Sequence, residues 1–310
     1  MTGDHRRVPE NAPRVVTPFS VPVVAGDGRH PFPLVPDAVT ALVRAALEED
    51  GAHADITTVA TIPADRTARA SLVARAAGVV CGVPLAVEAF RQLDAHATIR
   101  IDAPDGTAVQ PGDVVLHLSG RARGLLSAER VALNYLMHLS GIATATAALV
   151  EAVRGTRAKV LDTRKTTPGW RALEKYAVRC GGGTNHRADL RAAVLIKDNH
   201  LTIAGAQLGA AVQKARALAP AGTRVEVECD TPAQVEAALT AGADIVMLDN
   251  MTVEQMRACV ALVGGRAIVE ASGRVRPETI RPIAETGVDW ISSGAITHSA
   301  PALDLALDFD

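Results

Sequence analysis

Between Arg157 and Lys197 the chain places ten Lys or Arg residues (157, 159, 164, 165, 171, 175, 179, 187, 191 and 197) against three acids (162, 174 and 189). The whole chain is nearly neutral, with a formal net charge of −2, so this excess of cations is local and suits a small polyanionic ligand. Arg presents a planar fork to carboxylates and phosphates, and Lys a compact charge to a phosphate. On that chemistry Arg164, Lys165, Arg187 and Lys197 read as an anion-binding set, while a solvated basic face accounts for Arg171, Lys175, Arg179 and Arg191. Glu228 and Asp249 each close a β-branched or apolar run. Either alone fits a structural ion pair, but two carboxylates with room for water and substrate phosphates are a common way to hold Mg2+. Ser272-Gly273 and Ser293-Gly294 could bring backbone N–H groups close to a phosphate. Gly181-Gly182-Gly183 does not complete a dinucleotide fingerprint, because position 186 is His. It reads as a mobile or tightly packed loop presenting Asn185-His186-Arg187.

The elements that must position these groups show in the periodicity. Strands are expected at 159–162, 193–197, 224–228, 244–249, 266–270 and 289–292, with helices between them such as 232–241 and 252–263. Serial strand–helix units imply parallel strands, in an α/β barrel or a doubly wound sheet; the barrel is favoured. Nearly every strand ends in a charged or small polar residue, and in a barrel those ends meet on the face that carries the chemistry. Upstream, a helix over 37–49 and strands at 68–73, 98–101 and 114–118 suggest a small α/β sandwich domain. Ser127 is expected to cap a long helix that has Glu129 and Arg130 in its first turn. Residues 1–36 hold seven of the seventeen prolines without apolar periodicity and read as a flexible or surface-draped extension. The resulting division is 1–36 extension, 37–135 sandwich domain joined by the tail 299–310, and 136–298 barrel. With 310 residues and 48% apolar content, there is material for two such cores. Near-neutral charge argues against nucleic-acid or membrane-surface binding. Four scattered cysteines (Cys81, Cys180, Cys229 and Cys259), no apolar leader and no long uninterrupted apolar run point to a cytoplasmic protein with reduced thiols.

Five motifs in order carry a resemblance: Ser127-Ala128-Glu129-Arg130, Leu139 to Thr144 (LSGIAT), Asp162 to Gly169 (DTRKTTPG), Gly181 to Arg187 (GGGTNHR) and Ile196 to His200 (IKDNH). Together they resemble the quinolinate phosphoribosyltransferases, from about Asp37 to the end of the chain. The resemblance implies an N-terminal α/β sandwich and an open α/β barrel, Mg2+ as the metal with no organic cofactor, and a homodimer or a higher assembly of dimers. It also implies phosphoribosyl transfer from phosphoribosyl pyrophosphate to quinolinic acid with decarboxylation, giving nicotinate mononucleotide. Arg164, His186, Arg187 and Lys197 would surround the two substrate carboxylates, with Arg130 reaching the site of the partner subunit. Lys165 would contact the pyrophosphate, Glu228 and Asp249 the ribose and metal, and Ser272, Gly273, Gly294 and His298 the phosphate. Lys165, Lys197, Glu228 and Asp249 would form the catalytic set. Arg274 departs from the small residue usual there and bears on the shape of the phosphate loop. The alternatives are a relative acting on another aromatic acid, and a barrel aldolase using Lys165 or Lys197 as a Schiff base.

Overall fold

A computed structural model describes residues 14–16, 31–273 and 275–310. Most of the expected extension, and Arg274, lie outside the described residues. The chain divides into two compact units, Met1–Gly141 with Ala302–Asp310, and Ile142–Pro301.

The first unit begins with β1 (Arg14–Val16), which pairs antiparallel with Ile99–Ile101, so the extension contributes at least one regular strand. Next comes α1 (Pro36–Glu49), where Pro36 sits at the tolerant first turn and Val39, Val43 and Leu47 form a buried stripe. Asp55 caps α2 (Ile56–Thr61) by accepting the Thr58 N–H at 3.0 Å. Then follow β2 (Thr67–Ala74), the short β3 (Gly78–Val79), α3 (Val83–Leu93), β4 (Thr98–Ile101), β5 (Ala108–Val109) and β6 (Val114–Arg121). The main sheet runs β1-β4-β6-β2 and is completed by the C-terminal strand Leu305–Phe309, antiparallel to β2. α1 packs on α3, whose Leu85, Ala86 and Phe90 are fully buried.

The long helix α4 (Ala122–Ala152) starts five residues before the expected cap. Ser127 therefore lies inside it and donates instead to Asp55 Oδ2 at 3.0 Å, and neither Glu129 nor Arg130 is in the first turn. The start is set by packing. A Cβ at Gly120 would meet Asp94 Oδ2 at 2.5 Å and one at Gly124 would meet Asp94 Cβ at 2.9 Å, so β6 can pass straight into α4 against Asp94. By length and composition α4 could cross a membrane, but 56% of its most apolar window is buried in the protein, as befits a core helix.

The second unit contains β7 (Lys159–Leu161), α5 (Arg171–Cys180), β8 (Val194–Ile196), α6 (Asp198–Ala204), α7 (Leu208–Leu218), β9 (Val225–Cys229), α8 (Pro232–Thr240), β10 (Ile245–Asp249), α9 (Val253–Val263), β11 (Ile268–Ser272), α10 (Pro277–Ala284), β12 (Trp290–Ser292) and α11 (Ala295–His298). Its sheet is parallel throughout, in the order β8-β9-β10-β11-β12-β7. The first strand thus pairs with the last and the sheet curls on itself. Among the described residues, only Thr184 bridges at the other edge of β7, through Thr184 N–H to Val160 O at 2.8 Å, and no ladder joins β7 to β8. The result is an open (β/α) barrel. Thr231 with Gln234, and Thr252 with Gln255, form capping boxes that start α8 and α9 just after their strands.

Candidate active site

Strand register decides which side chains share the barrel interior. Met247 stands opposite both Glu228 and Glu270, Ile245 opposite Glu226, and Asp249 opposite Ser272. Residues two apart on one strand share a face, so Glu226, Glu228, Glu270 and Asp249 all lie on the Met247 side of the sheet. A cavity of about 300 Å³ opens there, with Met247, Glu270, Ser272 and Ser292 in its wall. Arg164, Lys165, His186, Arg187 and Lys197 also line it. Five of the expected substrate groups therefore meet around one space.

The cations are close enough to repel. Burial lowers the pKa of Arg187, and the positive charge of Arg164 lowers it further. Arg164 Nε and Ser292 Oγ are buried with no hydrogen-bond partner among the described residues. Unsatisfied donors and uncompensated like charges in one pocket are both relieved by an anion. Ser292 gives no signal of its own in the sequence, since it closes a short strand just before Ser293-Gly294.

The segment Asn185–Arg187 is pinned from below. Asp162, wholly buried, accepts the His186 N–H at 2.8 Å and Asn185 Nδ2 at 2.6 Å, and pairs with Lys175 Nζ. Lys175 is thus a buried structural cation and not part of a solvated face, because the buried carboxylate of Asp162 requires a partner. The triple glycine before this segment is tightly packed: a Cβ at Gly181 would meet Ala143 O at 2.3 Å, and one at Gly183 would meet Thr146 Cγ2 at 2.7 Å.

His186 lines the cavity, with Nδ1 in a hydrogen bond and Nε2 turned to two carboxylates at ion-pair distance without a hydrogen bond in the usual geometry among the described residues. Nδ1 accepts the Arg187 N–H at 2.7 Å. Nε2 faces Glu226 Oε2 at 3.2 Å and Glu270 Oε2 at 3.4 Å. Burial opposes a charge on the ring, but the two carboxylates more than offset it and push the His186 pKa up to about 10; burial also raises Glu226. A doubly protonated ring would turn an N–H against that of Arg187, so the geometry favours a ring proton on Nε2, with the further proton held between His186 and Glu226. Their donor atoms lie within 4.8 Å of one another, a spacing that could hold a metal ion. Glu226 and Glu270 carry no motif of their own, although the alternation Val225-Glu226-Val227-Glu228 puts Glu226 on the same face as Glu228.

Lys197 Nζ pairs with Glu228 Oε2, so a cation expected at the acid substrate and an acid expected at the ribose neutralise each other. Asp249 is half-buried and accepts Asn250 Nδ2 at 2.6 Å. Gly273 has φ +101° and a Cβ there would meet Asn250 Oδ1 at 2.4 Å, which reserves the position for glycine. A Cβ at Gly294 would meet Lys165 Cδ at 2.7 Å and His298 Cδ2 at 3.2 Å, while Thr297 Oγ1 donates to Lys165 O at 2.7 Å. Gly294 and Thr297 therefore lie against Lys165, and His298 lies beside Gly294. Arg130 is exposed on the part of α4 that belongs to the first unit.

The comparisons with known proteins converge. Residues 55–140 match the quinolinate phosphoribosyl transferase N-terminal domain and residues 142–308 its C-terminal domain. The chain is 44% identical to the nicotinate-nucleotide pyrophosphorylase [carboxylating] of Mycobacterium leprae, over 88% of this chain and 97% of that protein. It is 37% identical to quinolinate phosphoribosyltransferase [decarboxylating] 1b of Nicotiana tabacum, over 96% and 91% respectively. The structure of the nicotinate-nucleotide pyrophosphorylase from Francisella tularensis superposes with a TM-score of 0.83 at 42% identity, covering 90% of this chain and 99% of that one.

Proposed function

The chain belongs to the quinolinate phosphoribosyltransferase family, and on that premise we propose how its residues divide the work. The enzyme transfers a phosphoribosyl group from phosphoribosyl pyrophosphate to quinolinic acid with loss of CO2, in NAD biosynthesis. The observation that carries the assignment of roles is the ring of five basic side chains around one cavity, with Arg164 Nε left without a partner. Arg164, Arg187 and Lys197 take the two carboxylates of quinolinate. His186 belongs to the same wall, but its Nδ1 is hydrogen-bonded and its Nε2 is turned to two acids. Lys165 takes the pyrophosphate, and Ser272, Gly273, Gly294 and His298 the phosphate end.

Lys197 and Glu228 hold each other before substrates arrive; each then turns to a different ligand, Lys197 to the acid and Glu228 to the ribose. Glu228 and Asp249 offer hard carboxylate oxygens with no sulfur among them, a donor set that suits Mg2+. Bound there, the ion would neutralise charge on the pyrophosphate. The chain's own task is positioning and electrostatics: to hold the pyridine nitrogen facing the anomeric carbon as the C–O bond breaks and positive charge develops on the sugar. With ribose attached, the ring is a pyridinium and accepts the electron pair left as the adjacent carboxylate departs. Arg130 serves the neighbouring subunit of a homodimer, and the reduced, buried thiols suit a cytoplasmic enzyme.

Calorimetry with quinolinate and with nicotinate tests the dicarboxylate reading. Losing one charged contact should weaken nicotinate by at least about tenfold. Equal affinity for the two acids would overturn it.

A further inference from the structure

Two buried acids on the cavity side of the sheet, Glu270 in its wall and Glu226 beside it, contact no substrate in that division of the work. Glu226 and Glu270 are 1% and 0% exposed, and neither carboxylate has a hydrogen-bonding partner in the usual geometry among the described residues. Buried carboxylates are strongly disfavoured unless a cation or donor answers them. The group that answers both is His186 Nε2, at 3.2 and 3.4 Å.

His186 is hydrogen-bonded at its N–H, C=O and Nδ1, and its Nε2 lies within ion-pair distance of both acids. Its N–H goes to Asp162 at 2.8 Å, its C=O accepts Lys175 Nζ at 3.1 Å, its Nδ1 accepts the Arg187 N–H at 2.7 Å, and its Nε2 faces the two acids. With Nδ1 on the Arg187 N–H and Nε2 turned to the acids, the imidazole acts on its neighbour: it anchors the Arg187 backbone, while Arg187 Nη1 is steadied by Ala193 O at 2.9 Å. We propose that Glu270, together with Glu226, is a positioning residue for the acid substrate, acting through His186 to set Arg187 in place before a carboxylate arrives. The inference rests on Arg187 binding a quinolinate carboxylate. Glu270→Gln keeps the size of the side chain but removes the charge that orients Nε2–H; the imidazole can then turn, and the Nδ1 contact with Arg187 is lost.

The test is a double-mutant cycle on the full-length enzyme with steady-state kinetics in both substrates. Glu270→Gln should raise KM for quinolinate roughly tenfold, the loss that follows when a charged hydrogen bond from Arg187 to a carboxylate is misplaced. KM for phosphoribosyl pyrophosphate should stay within about twofold, since uniform binding of one ligand alone is affected. Glu270→Asp, which keeps the charge, should recover part of the loss. The Arg187→Ala/Glu270→Gln enzyme should bind quinolinate no more weakly than Arg187→Ala, because the acid acts only through the arginine. Full additivity of the two penalties, or an unchanged quinolinate KM in Glu270→Gln, overturns the proposal. Nitrogen-15 spectra of histidine-labelled wild type, with His186 assigned through His186→Gln, test it without any acid variant. A His186 ring that keeps one protonation state across neutral pH is expected; free titration near the ordinary histidine value overturns it. Should Arg187→Ala itself leave quinolinate affinity intact, the underlying reading fails; a strong Arg187→Ala effect with an inert Glu270→Gln defeats this inference alone.

Discussion

Replacing Arg187 with Ala should separate recognition of the acid substrate from stability. Arg187 lines the cavity beside Arg164, whose charge disfavours its own, so the free enzyme tolerates a repulsion that a dianion would relieve. A hydrogen bond to a charged group contributes about 1.5–3 kcal/mol. At about 1.4 kcal/mol per factor of ten, Arg187→Ala should weaken quinolinate roughly 10- to 150-fold. Two smaller effects on folding oppose each other: loss of the Nη1 bond to Ala193 O costs about 1 kcal/mol, and relief of the Arg164 repulsion offsets part of it. Stability by chemical denaturation should therefore stay within about 1 kcal/mol of wild type. Calorimetry with each substrate alone gives the readout, and phosphoribosyl pyrophosphate should bind as in wild type. Wild-type affinity for quinolinate, or equal weakening of both substrates, would refute the reasoning.

Glu228→Gln and Asp249→Asn should lower turnover and shift the Mg2+ dependence while leaving quinolinate binding by calorimetry nearly unchanged; an equal loss of quinolinate binding would contradict their assignment to the ribose and metal. The four cysteines are buried and burial pushes the Cys229 thiol up to about 12, so below that pH its thiolate is scarce. At pH 8 a thiol reagent should titrate four groups rapidly only after unfolding, and rapid labelling of Cys229 in the native enzyme would count against that burial. Arg130→Ala and Lys197→Ala chains, each nearly inactive, should recover roughly a quarter of wild-type activity when refolded as an equal mixture, since about half the dimers are mixed and each has one intact site. Proven heterodimers without recovery would show that Arg130 does not act across an interface.

The barrel was legible because its signal is local. Strands such as Ile245–Asp249 are apolar runs closed by an acid, and helices such as Val253–Val263 announce themselves with a Thr and Gln capping box. The strand-end cations were legible for the same reason, since parallel strands bring their C-terminal ends to one face. What the sequence hid depends on partners distant in the chain. Lys175 looks like one more surface cation until Asp162, thirteen residues earlier, is seen buried against it. Glu226 and Glu270 run against the usual exposure of acids, and among the described residues it is the imidazole of His186 that faces both. The start of α4 at Ala122 was hidden too. Ser127 is a good cap by type, but close approach of Gly120 and Gly124 to Asp94 lets the helix begin without one.

The central claim is that this cavity couples phosphoribosyl transfer to decarboxylation of quinolinate. The most direct measurement follows CO2, pyrophosphate and nicotinate mononucleotide together, from quinolinate, phosphoribosyl pyrophosphate and Mg2+ with purified enzyme. The three products should appear in equal amounts, and nicotinate in place of quinolinate should yield little pyrophosphate. Pyrophosphate formed without CO2, or nicotinate turned over as well as quinolinate, would contradict the account.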